Sequence, residues 1–453
     1  MTDSSMVTQP QPDREAELDV LESHVDTALR QAKRLGATEA EVSATASQGL
    51  SVAVRMGEVE TLEHMQDRGV SVTVFIGGRK GQASSADLRP ESIESCVNHA
   101  MDIARFTQED PCNGLADPAL LAGEDRDLDL WHPASLDAGA AIDLALACET
   151  AGRSDPRITN SEGAAFNAGL GLSVYGNSNG FTGRSSGTNF SQSCILLAGR
   201  GDGMQRDYSW DSRRCMDDLE PAEETGREAA RRTVRRLNAQ KLPTAEMPVL
   251  FAAPVASGLL GHLVGAISGS ALMRNASFLK DRAGERIFPS WLHLSERPHL
   301  PRGASSTYFD SEGVATRERN IVDSGTLTGY ALSSYTARRL GLETTGNAGG
   351  VRNLLLAPGG SGSGNLLDDM GDGFYVTEVM GQGVNLVTGD YSRGAAGFLV
   401  RNGKLEYPVE EVTVAGNLKD MFANIAAAGE NIDTRGNVHS GSVLISSMMV
   451  AGS

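Results

Sequence analysis

Leu18, Leu21, Val25, Leu29 and Ala32 recur at helical spacing through residues 14–35, with charged and polar residues between them and Gly36 after them. Apolar positions three and four apart form one face of a helix, and a glycine behind the last of them stops it. The period then drops to two. Val52 and Val54, then Val70, Val72, Val74 and Ile76, alternate with polar or small residues, interrupted at Met56-Gly57 and Gly77-Gly78; this pattern predicts an antiparallel meander. A second helix is expected from about Pro90 to Phe106, so residues 14–115 read as an N-terminal domain, a sheet covered by helices. The polar run CNGLADPALLAGEDRDLDLWHPAS is a connector.

Residues 130–241 repeat the mixture. LDAGAAIDLALACETAGR is helical, and residues 158–199 alternate strand-forming with small turn residues around Asn179-Gly180. The charged helix EPAEETGREAARRTVRRLNAQ closes the segment; its arginines sit among glutamates, as on a solvated face. Pro243 and Pro248 mark the next boundary. Residues 245–453 are rich in strands and turns, with two helices expected, GLLGHLVGAISGSALM and one that Asn417 is placed to cap. Two alternating runs around Asn402-Gly403 predict a tight hairpin, and SGSVLISSMMVAG a last strand. No fixed-period repeat points to a solenoid. The fold class expected is mixed α/β (α+β): an N-terminal helix-and-antiparallel-sheet half, then a strand-rich C-terminal half holding a glycine-rich buried helix.

Charge narrows the partners. With 58 acidic and 40 basic residues the chain of 453 residues carries a formal charge of -18, which repels a polyanion, so no nucleic acid is expected. Cys96, Cys112, Cys148, Cys194 and Cys215 are scattered singly, the usage of reduced thiols in the cytoplasm. The polar residues 1–13 have no apolar core and read as a disordered tail rather than a secretory signal. Between Met247 and Arg274 no Asp, Glu, Lys or Arg occurs. Gly261, Gly265 and Gly269 there have a spacing also found in packed membrane helices, but Pro254 interrupts the run and only 10 of the 19 residues from Pro254 to Leu272 are apolar. A membrane span wants about 20 predominantly apolar residues, so a buried soluble helix is expected.

His262 sits in the middle of that uncharged run. A zinc helix needs two histidines on one face and a glutamate beside the first, whereas Leu263, Ala266 and Ile267 follow here. The eight histidines, at 24, 64, 99, 132, 262, 293, 299 and 439, contain no pair at four-residue spacing; a site assembled from distant residues, His262 with His439, is the competing arrangement. APGGSGSGNLL lacks the Lys-Ser or Lys-Thr of a phosphate loop and the context of a hydrolase serine, and reads as a surface turn.

Two long runs carry a resemblance. GLLGHLVGAISGSALMRNASFLKDRAGERIFPSWLHLSERPHLPRGASSTYFDSEGVATRERNIVDSGTLTGYALSSYTARRLGLETTGNAGGVRN and VTEVMGQGVNLVTGDYSRGAAGFLVRNGKLEYPVEEVTVAGNLKDMFANI resemble the PmbA (TldE) branch of the TldD/PmbA metalloprotease family. The resemblance extends over essentially the whole chain after the tail. It implies a cytoplasmic bacterial protein that pairs with a TldD-like subunit to cleave peptides or unfolded chains. In that family the TldD branch carries an HExxxH motif and a cysteine ligand near its C-terminus, and the PmbA branch lacks them. Laying LVGAISG on the family helix puts Gly261 and Ala266 at the histidine positions and His262 at the glutamate. Starting at His262 instead leaves Leu263 and Ile267. TRGNVHSGSVLI offers Ser440 near the cysteine position, and a neutral hydroxyl is a poor zinc ligand.

The resemblance therefore implies no zinc and no catalytic residue in this chain, with zinc expected in the TldD-like partner. The 258–273 run becomes a packing helix whose glycines admit neighbouring backbone. MGQGVNLVTGDYSRGAAGF is the expected chamber-lining segment, and His262, Gly383, Tyr391, Ser392 and Arg393 are the expected substrate contacts. Two readings compete: a self-sufficient metallopeptidase with a non-local metal site, and a non-enzymatic peptide-binding scaffold.

Overall fold

The computed structural model describes residues 13–123, 125–360 and 364–452. The expected tail lies outside them but for Asp13, whose side chain accepts the Ala16 N–H and caps α1 (Arg14–Arg34). Leu18, Leu21, Val25, Ala28 and Ala32 form the buried face of this helix. It is followed by β1 (Glu39–Arg55), β2 (Glu58–Ile76), β3 (Arg79–Ser85) and α2 (Pro90–Phe106). The strands are joined at Met56-Gly57 (φ 54° and 86°) and Gly77-Gly78 (φ 57° and 80°). Positive φ at both central residues matches a two-residue turn to the twist of its strands.

The same order recurs in α3 (Ala138–Arg153), β4 (Ile158–Asn177), β5 (Thr182–Ala198), β6 (Gln205–Arg213) and α4 (Ala222–Val234). Residues 14–115 and 130–241, read from sequence as separate segments, share one antiparallel sheet ordered β3-β2-β1-β4-β5-β6. The central pair runs from Glu41 opposite Asn177 to Val54 opposite Ala164. Each half is therefore a helix, three strands and a helix, built outward from that pair. One face of β1 carries the core: Val42, Ala44 and Ala46 pack in the cluster of α1 and α2, and Leu50, Val52 and Val54 in that of α3 and α4. The other face pairs Thr45 with Ser173, Ser47 with Gly171 and Ser51 with Asn167. Such small polar side chains hold no second apolar layer, and a groove of about 600 Å³ lies over Thr45, Ser47, Asn167, Gly171 and Ser173.

The C-terminal half comprises β7 (Ala245–Phe251), α5 (Ala253–Ala266), α6 (Gly269–Met273), β8 (Leu294–Glu296), β9 (Arg319–Asp323), β10 (Thr326–Leu327), α7 (Ser334–Leu340), β11 (Leu354–Leu356), β12 (Gly359–Gly360), α8 (Leu366–Met370), β13 (Gly373–Met380), β14 (Asp390–Arg401), β15 (Lys404–Asn417), α9 (Leu418–Ala423), β16 (Ile425–Ala428), β17 (Val438–His439) and β18 (Val443–Ala451). β7 pairs with β13, and the chain of pairings passes through β14, β15 and β18 back to β7, so five strands close on themselves and leave no free edge in that circuit. Asn402-Gly403 (φ 48° and 72°) makes the predicted hairpin, and the Asn417 side chain caps α9 by accepting the Lys419 N–H. A smaller sheet, β10-β9-β8-β11-β17, packs into the same apolar cluster.

Three expectations need correction. The 258–273 run is two helices, because the chain turns at Ile267 and the Ser268 side chain starts α6 afresh. α5 is buried on one face only: Leu259, Leu260, Leu263 and Ala266 are in the core, but Gly258 and Gly261 are exposed. A Cβ built on either of those glycines meets no atom within 4 Å among the described residues, so neither admits neighbouring backbone; Gly265 does face a neighbour, the side chain of Leu386. Ser361 and Ser363 of the APGGSGSGNLL run lie outside the described residues. Among the described residues no helix is long and apolar enough to cross a membrane.

Candidate functional site

α5 begins with Pro254 in its first turn, where a missing N–H breaks no helical bond. Its leucines recur at helical spacing and turn one face into the core, which leaves His262 at the boundary, half-buried. The imidazole meets the ring of Tyr391 edge-on, with centroids 5.8 Å apart and planes at 73°. Tyr391 is a core residue of β14, 3% exposed. Two residues on, Arg393 leaves the same face of the strand, since side chains alternate with a period of two.

The electrostatics of these three groups are linked. Burial lowers the pKa of His262, and the Arg393 guanidinium lowers it further. The Tyr391 phenol is pushed up to about 12 by burial, with Arg393 acting in the opposite direction. The Nε2 of His262 is buried and has no hydrogen-bond partner among the described residues. Arg393 forms no ion pair among the described residues, and its Nε donates a long bond of 3.5 Å to the Met380 carbonyl. The site is thus an imidazole packed edge-on against a phenol, with a guanidinium two residues further along the same strand.

Gly383 and Ser392 are placed differently. The Ser392 N–H donates to the Gly383 carbonyl at 2.7 Å, and a Cβ on Gly383 would stand 1.9 Å from the Ser392 carbonyl oxygen. Gly383 is needed for that close approach, which folds residues 381–389 against β14. The Ser392 side chain projects from the face of the strand opposite Tyr391. Of the five expected contacts, His262, Tyr391 and Arg393 come together, while Gly383 and Ser392 shape the loop beside them. Leu386, not foreseen, covers Gly265 from this loop; the flanking Gly381 and Gly389, both at positive φ, are the sequence signal for the fold of that segment.

The donor set does not fit zinc. α5 lies against β17, which carries His439, but the His439 Nε2 donates to the Gly436 carbonyl at 3.1 Å, and the charges acting on it are Asp433 and Arg213. Ser440 is fully buried and its hydroxyl donates to the Gly441 carbonyl at 2.8 Å. Among the described residues no group of three or more His, Cys, Asp or Glu is placed to hold a metal ion. Three or four such donors make a catalytic or structural zinc site.

Family models agree along the chain: the PmbA/TldA metallopeptidase domain 1 at residues 40–104, the central domain at 131–237 and the C-terminal domain at 244–452. The chain is 49% identical over 441 residues to the metalloprotease PmbA of Escherichia coli O157:H7, covering 97% of each. The chain belongs to the PmbA/TldD family. It is also 44% identical to the PmbA homolog of Haemophilus influenzae, over 95% of this chain and 96% of that one. A crystal structure described as a putative modulator of DNA gyrase from Bacteroides thetaiotaomicron superposes with a TM-score of 0.90 at 29% identity, covering 95% of this chain and 99% of that one. TldE of Thermococcus kodakarensis shares the fold, with a TM-score of 0.83 at 18% identity over 95% of this chain and 100% of that one. The Escherichia coli and Haemophilus influenzae relatives bear metalloprotease names.

Proposed function

We propose that this chain is the subunit without catalytic zinc of a cytoplasmic two-protein peptidase, closing a chamber with a TldD-like subunit and holding peptides or unfolded chains inside it. One observation carries the reading: the chain matches its family along its full length, yet the helix at the metal position presents a single histidine and no second donor. In this scheme the partner's metal supplies a polarised water. The residues of this chain bind and orient. The exposed glycines of α5 leave its surface low enough for an extended backbone to approach, and His262, Tyr391 and Arg393 present hydrogen-bond donors beside it. Recognition through backbone geometry suits substrates of varied sequence. The five cysteines are all free thiols, as a reducing compartment requires.

The test mixes this chain with a TldD-like subunit that carries or lacks its motif glutamate and follows cleavage of one unstructured peptide. Cleavage should require both chains and the intact glutamate, and chelators should abolish it. A chain that cleaves alone at a comparable rate, or that purifies with about one zinc lost on His262→Ala, would establish the self-sufficient peptidase instead.

A further inference from the structure

The groove of about 600 Å³ over the N-terminal sheet is bounded by Leu130 of the connector and by Ser306 of the C-terminal half, and one row of cross-strand partners runs along its floor. Asp67 of β2 pairs with Ser47 of β1, Ser47 with Gly171 of β4, and Gly171 with Gly187 of β5. Directly paired residues share a face of the sheet, so this row carries a charge at each end. Asp67 lines the groove at one end, and its neighbour Arg68 pairs with Glu17 instead. Arg214 lines it at the other, with its Nη1 3.3 Å from the place a Cβ on Gly187 would take. The guanidinium donates to the Thr188 carbonyl at 3.1 Å and the Ala304 carbonyl at 2.5 Å, which fixes it in place, while its Nε has no partner among the described residues. Burial lowers the Arg214 pKa and no carboxylate opposes that shift. Between the two charges the floor is bare. Gly171 is not in the left-handed region, and a Cβ added there meets no atom within 4 Å among the described residues, so the fold itself does not require glycine. Glycine inside a strand often marks a place where a ligand or another backbone comes close.

We propose that this groove is a second peptide site, which holds a short extended peptide by both free ends, its α-ammonium at Asp67 and its α-carboxylate at Arg214. The proposal rests on the reading that this chain handles peptides, and it adds their length and the groups by which they are recognised. Neighbouring strands lie about 4.8 Å apart, which puts Gly187 about 14 Å from Asp67 along the row. An extended chain covers about 3.3–3.6 Å per residue, so a peptide of about four residues spans that distance. Guanidinium matches a carboxylate with parallel N–H donors. The hydroxyls of Ser47, Ser173 and Ser185 line the same groove and face the backbone of such a peptide, leaving its side chains unread. Peptide hydrolysis creates one new ammonium and one new carboxylate at each cut, so closely spaced cuts release molecules of this kind.

The test is a calorimetric titration of the full chain, without a partner, using tetra-alanine with free ends, its N-acetyl form, its C-terminal amide, and dialanine. Blocking either end, or shortening to dialanine, should weaken binding about tenfold or more, the scale of a lost charge-assisted pair. Asp67→Asn should erase the penalty of acetylation and keep that of amidation, and Arg214→Gln should do the reverse. Gly171→Val, for which the fold has room, should keep the melting temperature of the parent and abolish binding. Absence of tetra-alanine binding, a blocked end that leaves affinity unchanged, or binding that survives Gly171→Val would each overturn the site. Should Arg214→Gln not fold, Asp67→Asn and Gly171→Val still decide it. Failure to assemble with a TldD-like subunit or to cleave would instead count against the two-subunit reading, because the titration needs neither.

Discussion

The exposed face of α5 gives a quantitative test of what this helix is for. Glycine in a helix interior is less favourable than alanine by about 1 kcal/mol, because it loses more backbone freedom on folding. Gly258 and Gly261 are both interior to α5, neither has a positive φ, and an added Cβ meets no atom within 4 Å among the described residues. The variant Gly258→Ala/Gly261→Ala should therefore stabilise the isolated chain by about 2 kcal/mol. If the C-terminal half unfolds as a unit of roughly 200 residues, this corresponds to a rise of roughly 4–8 °C in its melting temperature. Calorimetry on the chain alone reads the gain, and the same variant is then tested for assembly with the TldD-like subunit and for peptide binding. Both should weaken, since the new methyl groups stand where backbone is meant to approach. A variant no more stable than the parent would show that this face is covered in the isolated chain. A stabilised variant that assembles and binds peptide like the parent would show that the glycines serve neither contact.

Other substitutions probe neighbouring links. Gly265→Ala should be nearly neutral, because its Cβ would stand 3.0 Å from the movable end of Leu386, whereas Gly265→Leu should cost about 1–3 kcal/mol in a thermal melt through overpacking. His262 has a pKa below its ordinary 6.5, so the unfolded chain binds more protons in the window below that value. The parent should lose stability relative to His262→Gln on acidification below about pH 6.5 and show no such trend above it, as urea unfolding across pH will report. Glu296, 2% exposed, accepts from Arg319 at 2.8 Å and from Asn347 and the Arg352 N–H at 2.7 Å each; Glu296→Ala should cost about 3–5 kcal/mol in urea unfolding by stranding Arg319.

What could be read from sequence was local. α1 and α2 begin and end near where their apolar periods and punctuating Pro and Gly residues put them, and the turns at Met56-Gly57, Gly77-Gly78 and Asn402-Gly403 form because two adjacent residues can adopt positive φ. What escaped was pairing at a distance. The β1–β4 ladder joins residues more than 100 positions apart, and β18 closes on β7 across about 200, where no short window holds both partners. α7 was legible and overlooked: Ser333 and Thr336 form a reciprocal capping box and Gly341 ends the helix at φ 68°. At the site, Tyr391 and Arg393 share a face by strand periodicity, but the approach of His262 depends on tertiary structure. Composition also could not separate two kinds of glycine. Gly383 is a close approach and Gly261 is open surface, a difference visible only when a Cβ is placed on each.

α5 also explains why a shared fold does not decide the presence of a metal. Its inward residues, Leu259, Leu260, Leu263 and Ala266, pack against Phe251, Phe374 and Val376 of the closed strand circuit and are needed for that half to fold. Of the positions the resemblance assigns to the metal motif, Gly261 and His262 lie towards the outward side, whereas Ala266 is in the core, where a histidine would have to displace packed neighbours. Similarity of backbone reports on the shared packing of α5, and the chemistry resides in the side chains it carries at those few positions. A stability measurement on the isolated chain therefore interrogates the inward face. Only metal content, assembly and peptide binding interrogate the outward one.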